Sequence, residues 1–510
     1  MKKQYIKSFT ALLLAIFLMN SCDLTREPYD AIPRQNSLQS ISDATKWATG
    51  FMSSFRNCIG GRYTTLQEYQ ADYLNASLGF GNRGGGWYNW STLDAKDYDV
   101  KDVWHAYYAA LKNINEFLSL SEKLELTKDE DKKLMQTYLG DAHLLRAYYY
   151  YELAVRYGTR YDAASAGSDL CVPLVLMYDL AELPQRATNE AVYKQIADDI
   201  AEAKTMLKER KNEPMSQVFT EDAAFALEAR VALAKKDWNT ALNAADKIIS
   251  SKRYPLVSPV QKSFEDMWRA DDSTEDLVLL YVKKTDEEPN TISFYGYSAT
   301  LKANSPDWYP TQGIIDLYTD EDLRKEVYFE KSRVKVEDYV MNDIYVVSKY
   351  KGNPIYNTTA DPRYIIRPKV FRMGEIYMIA AEAAYMSNST GDKAPDKYLN
   401  AFRASRGLAP VASTDAALLK DIKEERTREL AFEGHRLWDL RRWGDQMKRM
   451  SPQKSADLSP NGIEIGSDFL TTMVPFDFLV NPDNHRWIWP IPYNELTTNV
   501  NIKNQQNPGW

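Results

Sequence analysis

The stretch GFGNRGGGWYNW places Gly79, Gly81 and Gly84 in a G-x-G-x-x-G spacing, the pattern in which a tight backbone turn approaches the pyrophosphate of a dinucleotide. That chemistry needs a buried strand before the glycines and a helix opening at the last one, so that free N–H groups meet the phosphate. Neither flank complies. ADYLNASL upstream lacks a β-branched run, and GGWYNWSTLD downstream sets Gly, Trp, Asn and Ser where helix formers belong. Dinucleotide binding is set aside. The four histidines, at 105, 143, 435 and 485, show neither H-E-x-x-H nor a Cys/His ligand spacing, and no G-x-S-x-G occurs. No catalytic residue, metal ligand or cofactor is assigned. A glycoside hydrolase needs only two placed carboxylates and leaves no motif, so that class stays open.

The charged run Glu424 to Arg442 holds several carboxylates and His435. At helical spacing Glu425 reaches Arg428 and Glu433 reaches Arg436, while Leu430, Phe432, Leu437, Trp438 and Leu440 supply apolar anchors. The run reads as a structural helix pair pinned by ion pairs and packing.

Helical periodicity dominates the chain that must position any such groups. Amphipathic stretches run near 41–57, 101–122, 129–157, 188–210, 220–250, 369–387, 394–406 and 415–448. Long irregular segments separate them near 58–99, 158–187, 254–310, 331–366 and 451–492, and no alternation is long enough to predict a large sheet. TEDAAFALEARVALAKKDWNTALNAADKIIS reads as an alanine-rich helix, a turn at Lys236-Asp237 and a second helix with Ala241 and Ala245. FRMGEIYMIAAEAAYMSNSTGDKAPDKYLNAFRASRG repeats the arrangement with Ala380, Ala381, Ala384 and Ala401. Small residues at this spacing let antiparallel helices approach closely. Both resemble tetratricopeptide-type hairpins, spaced too irregularly for a regular solenoid.

Composition is that of a large folded chain of 510 residues, with 34 Tyr and 12 Trp. A flat apolar face with a polar handle suits recognition surfaces. The formal net charge is −8, and no basic stripe is present, which makes nucleic acid a poor partner. At the N-terminus MKKQYIKSFTALLLAIFLMNSC combines a basic start, a nine-residue apolar run and a small residue before Cys22. The run is too short to span a bilayer. MNSC resembles a bacterial lipobox, with Met19 and Asn20 departing from the usual pattern, and this predicts a lipoprotein signal peptide over 1–21 and lipidation of Cys22. DLTREPYDAIPRQNS then reads as a tether, residues 22–36. Cys58 and Cys171 are expected to be free buried thiols, although an oxidising compartment would let them pair.

Taken in order, GDAHLLRAYYYYELAVRYG, RATNEAVYKQIADDIAEAKTML, FRMGEIYMIAAEAAY, ERTRELAFEGHRLWDLRRWG and WIWPIPYNELTTNVNIKNQQNPGW resemble the SusD/RagB family of Bacteroidetes. The resemblance implies a mostly α, single-domain SusD-like fold over 37–510, built around tetratricopeptide-type helical hairpins with long loop-rich insertions. It further implies a non-catalytic outer-membrane lipoprotein of polysaccharide utilisation, facing the cell exterior. Such a protein captures oligosaccharide and passes it to a TonB-dependent SusC-like transporter. Peptide capture, as in the RagB branch, is the alternative within the family. Asp23, directly after the lipidated position, favours inner-membrane retention in some bacteria, so display outside rests on the family analogy.

Glycan binding wants flat rings beside amide, carboxylate or guanidinium groups. Gly84, Gly85 and Gly86 permit turns that project Trp87, Tyr88 and Trp90, with Asn82, Arg83 and Asp72 as polar partners. SFYGYSATLKANSPDWYP adds Tyr295, Tyr297, Trp308 and Tyr309. Together these are the expected ligand-binding residues, and for each ring the competing expectation is a plug in the core.

Overall fold

The computed structural model describes residues 36–77, 84–91, 93–177, 179, 181–283, 288–289, 291–292, 294–336, 339–356, 364–453 and 478–510. Positions 1–35, which include Cys22 and the expected leader, lie outside the described residues, as do Asn82 and Arg83.

Helix α1 (Ile41–Asn57) starts where the Ser40 side chain accepts the Asp43 amide at 3.2 Å, one of the orphan donors of a first turn. α2 (Arg62–Gln70) leads into the short strand β1 (Leu74–Ala76). α3 (Tyr98–Ser121) and α4 (Asp129–Tyr157) follow, and Asp129, Glu130 and Asp131 at the head of α4 complement its dipole. α5 (Asn189–Met206) packs on α4.

The alanine-rich hairpin forms as its turn chemistry predicts. α6 (Glu221–Lys235) ends on Lys236 in the left-handed region, and α7 (Trp238–Ser250) starts where Asp237 accepts the Thr240 amide. α8 (Met373–Met386) and α9 (Pro395–Ser405) make the second hairpin. α8 lies against α7 through buried Ala241 and Ala245 on one side and buried Ala380, Ala381 and Ala384 on the other. The fold is mostly helical, as the periodicity requires.

The stretch 415–448 forms a helix pair, as the charged run was read: α10 (Asp415–Glu429) and α11 (Arg436–Trp443), separated by a turn in which Phe432 has φ 66° and Gly434 φ 83°. Phe432 is held there by Tyr350, whose hydroxyl donates to its carbonyl, and by Tyr73, whose hydroxyl accepts its amide. The segment 331–366, expected to be irregular, contains strands. Phe329–Val336 and Tyr339–Val347 pair antiparallel, next to Ala303–Asn304 and Tyr297–Ser298, in a four-stranded sheet. A bulge between Ser332 and Val334 interrupts the alternation, so the period of two is broken in the sequence.

Between the hairpins and this sheet lies a buried ionic layer. Arg406 donates to both Glu429 oxygens at 3.1 and 2.9 Å, Arg324 donates to one at 3.0 Å, and Arg372 closes the set. All four side chains are buried. Among the described residues no helix is long and apolar enough to cross a membrane.

Candidate functional site

The two aromatic segments singled out in the sequence meet in space. β1 pairs antiparallel with Trp308–Pro310, setting Ala76 opposite Trp308 and Asn75 opposite Tyr309. Trp308 stacks on Tyr69 with centroids 4.1 Å apart and meets Tyr88 at 5.2 Å. Gly84 is required here: it has φ +73°, and a Cβ would fall 2.7 Å from the Tyr69 ring.

The convergence points inward, however, and the expectation of projecting rings is corrected. Trp87, Tyr88, Trp90, Tyr295, Trp308 and Tyr309 are all at most 6% exposed. Each finds core partners: Trp87 packs on Trp489 at 4.3 Å, Trp90 on Trp487 at 4.9 Å, and the Arg449 guanidinium lies 4.0 Å over Tyr88. Large rings gain more from burial than a polar loop gains by presenting them. Asp72 is likewise committed, since Arg436 clamps its carboxylate at 2.9 and 2.6 Å. Only Tyr297 stands out at 40% exposure, and its amide donates to the Tyr364 hydroxyl at 2.7 Å.

Tyr364 leads to the open part of the molecule. It lines a cleft of about 170 Å³ between the helical hairpins and the C-terminal half, together with Tyr63, Tyr148, Tyr151, Tyr161 and Trp438. Its backbone has φ 56°, a conformation rare in a bulky residue. Polar groups interleave with these rings, including Glu152, Arg160, His435 and Arg441.

The charged run forms the floor of this cleft, and it is wired differently from the i, i+4 expectation. Glu425 does meet Arg428 at 2.7 Å, but Glu433 accepts from Arg372 and from Lys349 while Arg436 turns to Asp72. The turn at Phe432 and Gly434 breaks the helical spacing that the Glu433–Arg436 pairing assumed. Burial alone would raise Glu375, Glu433 and Asp439, which line the cleft, yet their partners prevail. Arg230 holds Glu375 at about 2, and Arg426 with Arg442 holds Asp439 at about 2. Burial lowers His435, which keeps it neutral at pH 7.

The sequence reading missed this cleft because several of its rings, Tyr63, Tyr148, Tyr151 and Trp438, sit in helices, where YYYY at 148–151 looks like core. Tyr149 and Tyr150 are core, whereas Tyr148 and Tyr151 reach the cleft. Among the described residues no group of three or more His, Cys, Asp or Glu could hold a metal ion. Cys58 and Cys171 are buried and free, and burial pushes their thiols up to about 11 and about 12.

Two family models match the chain. One, described as the SusD family, covers residues 257–510, and the other, described as starch-binding associating with outer membrane, covers 44–233. The chain belongs to the SusD/RagB family. Solved SusD-like structures share its fold at low identity. A SusD superfamily protein of Bacteroides thetaiotaomicron is 22% identical with a TM-score of 0.76, over 92% of this chain and 100% of its own. A SusD-like carbohydrate binding protein of Bacteroides vulgatus is 20% identical with a TM-score of 0.73, over 91% and 97%. A SusD superfamily protein of the same species is 22% identical with a TM-score of 0.73, over 93% and 100%. No curated protein matches this SusD-like chain.

Proposed function

We propose that this SusD-like chain is a non-catalytic binding protein that captures oligosaccharide in its aromatic cleft. The observation that carries the reading is the interleaving of half-buried rings with polar groups along one cavity. Sugar rings present apolar C–H faces to aromatic planes and hydroxyls to the groups between them. The description of the family model over 44–233 as starch-binding, and that of the Bacteroides vulgatus relative as carbohydrate binding, support the same class of ligand. In this reading Tyr297 and Tyr364 offer ring surface, while Trp87, Tyr88, Trp90, Tyr295, Trp308 and Tyr309 hold the loops that carry it. Asn82 and Arg83, outside the described residues, are kept as proposed polar contacts.

Glu375 and Asp439 are poorly suited to serve as the general acid of a glycosidase. A glycosidase needs a carboxylic acid that is still protonated near neutral pH. Glu375 and Asp439 are held near 2 by guanidiniums. The carboxyls that burial raises instead, Glu68 to about 8 and Asp99 and Asp276 to about 6, do not line the cleft.

The wider assignment follows the same family reading: a leader over 1–21, a lipid on Cys22, a tether to 36, one binding unit over 37–510, and delivery to a SusC-like transporter outside the outer membrane. Calorimetry against a glycan panel and a peptide digest tests the ligand class, and binding to peptides alone overturns it. Tyr364→Ala is expected to weaken glycan binding by about 1–3 kcal/mol with little change in melting temperature. Cys22→Ser is expected to abolish detergent-requiring membrane association, and retention of that association refutes the anchor.

A further inference from the structure

The charges lining the cleft are unevenly balanced. Arg230 has Glu375 at 2.7 Å, Arg426 and Arg442 share Asp439 at 2.8 Å each, and Lys369 has Asp271 at 3.1 Å. Glu433 serves Arg372 and Lys349, and Glu152 serves Arg156. Arg160 and Arg441 differ from all of these: among the described residues, neither has a carboxylate within ion-pair distance. Arg441 is fixed by donating to the Val155 and Gly158 carbonyls, both at 2.6 Å, which satisfies hydrogen bonds without neutralising the charge. Burial brings its guanidinium down to about 10, and the neighbouring Arg160 adds to the lowering. Tyr161 lines the same cleft, with its ring 5.0 Å from that of Tyr193 and the Lys235 ammonium 5.0 Å from its centroid.

Two guanidiniums that line one cavity, neither with a carboxylate partner among the described residues, make an incomplete arrangement. Their planar forks match a carboxylate, and partial desolvation makes the match stronger than it would be in water. We infer that the cleft takes an acidic saccharide, with the carboxylate of a uronic acid unit seated between Arg160 and Arg441 and its ring against Tyr161. This rests on the oligosaccharide reading above and narrows it to a charged class. The chain as a whole is acidic at −8, so attraction to a polyanion would be local to this site and not a property of the surface.

The test is affinity electrophoresis of the full chain against polygalacturonate, alginate and hyaluronan. Their carboxyl-reduced counterparts, carrageenan, starch and a peptide digest serve as the other arms. Retention by at least one of the three uronates and loss on carboxyl reduction are expected. Arg160→Gln should weaken that retention about 10- to 100-fold, the size of a lost charge-assisted hydrogen bond, at unchanged melting temperature, while Lys132→Gln on the exposed face of α4 changes nothing. Arg160 is exposed, so its variant folds even if Arg441→Gln, which removes a cap from α4, does not. Retention by neutral polysaccharides alone, untouched by Arg160→Gln, overturns this inference and leaves the oligosaccharide reading standing. Retention by carrageenan alone overturns the carboxylate assignment, and so does failure on every polysaccharide. Binding to peptides alone overturns both readings.

Discussion

Glu68 lies wholly out of water behind the Phe432 turn, where one of its oxygens accepts the Gly434 amide. Burial pushes its carboxyl up to about 8, against the opposing pull of Tyr73 and of that amide. Its folded pKa is therefore above the unfolded carboxylate value of about 4.3. The stabilisation it provides is complete below that value and is lost as pH rises through about 8. Glu68→Gln should consequently gain stability over the parent, on the order of 3 kcal/mol by pH 8, and match it near pH 4. Paired thermal melts at the two pH values check this, and an equal gap at both would refute it. The ring expected to bind ligand behaves as core: Trp308→Ala opens a cavity beneath Tyr69 and is expected to lower folding stability by about 3–5 kcal/mol. A denaturation midpoint close to the parent's would return Trp308 to the surface.

At the scale of elements, α7 and α8 join the two alanine-rich hairpins. Ala245 is fully buried there, and Ala245→Leu should force the helices apart for about 1–3 kcal/mol, read as a lower denaturation midpoint at unchanged slope. These helices were legible because small residues, caps and periodicity agree: α1 and α4 fall on the residues where their patterns begin and end. Strands were not, because the Ser332–Val334 bulge breaks alternation and the remaining strands are two to four residues long apart from the Phe329–Val347 hairpin. The candidate site was half legible. Sequence picked the two aromatic segments that β1 joins, but exposure depends on tertiary partners such as Trp487, Trp489 and Arg449 that no local window contains. Nor does local spacing announce that, among the described residues, Arg441 lacks a carboxylate while Arg442, one residue on, has two.

Across the whole molecule, the ionic layer around Glu429 ties the hairpins to the sheet. Glu425, Glu375 and Asp439 each have burial working to raise them and guanidiniums that bring them to about 2, below their unfolded values. Their contribution is present above about pH 4.3 and is lost as pH falls towards 2. Acid unfolding is therefore expected to be steep between those limits, with a proton uptake of several equivalents by potentiometric titration. Glu429→Gln, which leaves Arg324, Arg372 and Arg406 buried with one carboxylate fewer, should lower stability by about 3–5 kcal/mol at pH 7. A loss under 1 kcal/mol would mean that water enters the layer.

The pairing of β1 with Trp308–Pro310 also dictates an order of events in time. Residues 74–76 emerge early in synthesis, yet their partners lie beyond the whole α3–α7 array, and Gln70 waits longer still for the Trp489 indole that donates to it at 2.9 Å. Closing such long loops is entropically slow, whereas each helical hairpin closes locally. On refolding, helical circular dichroism should recover ahead of the tryptophan fluorescence that reports the Tyr69–Trp308 stack, and coincident traces would exclude this order. The aromatic scaffold is thus a late seal, set only after both ends of the chain have been delivered to it.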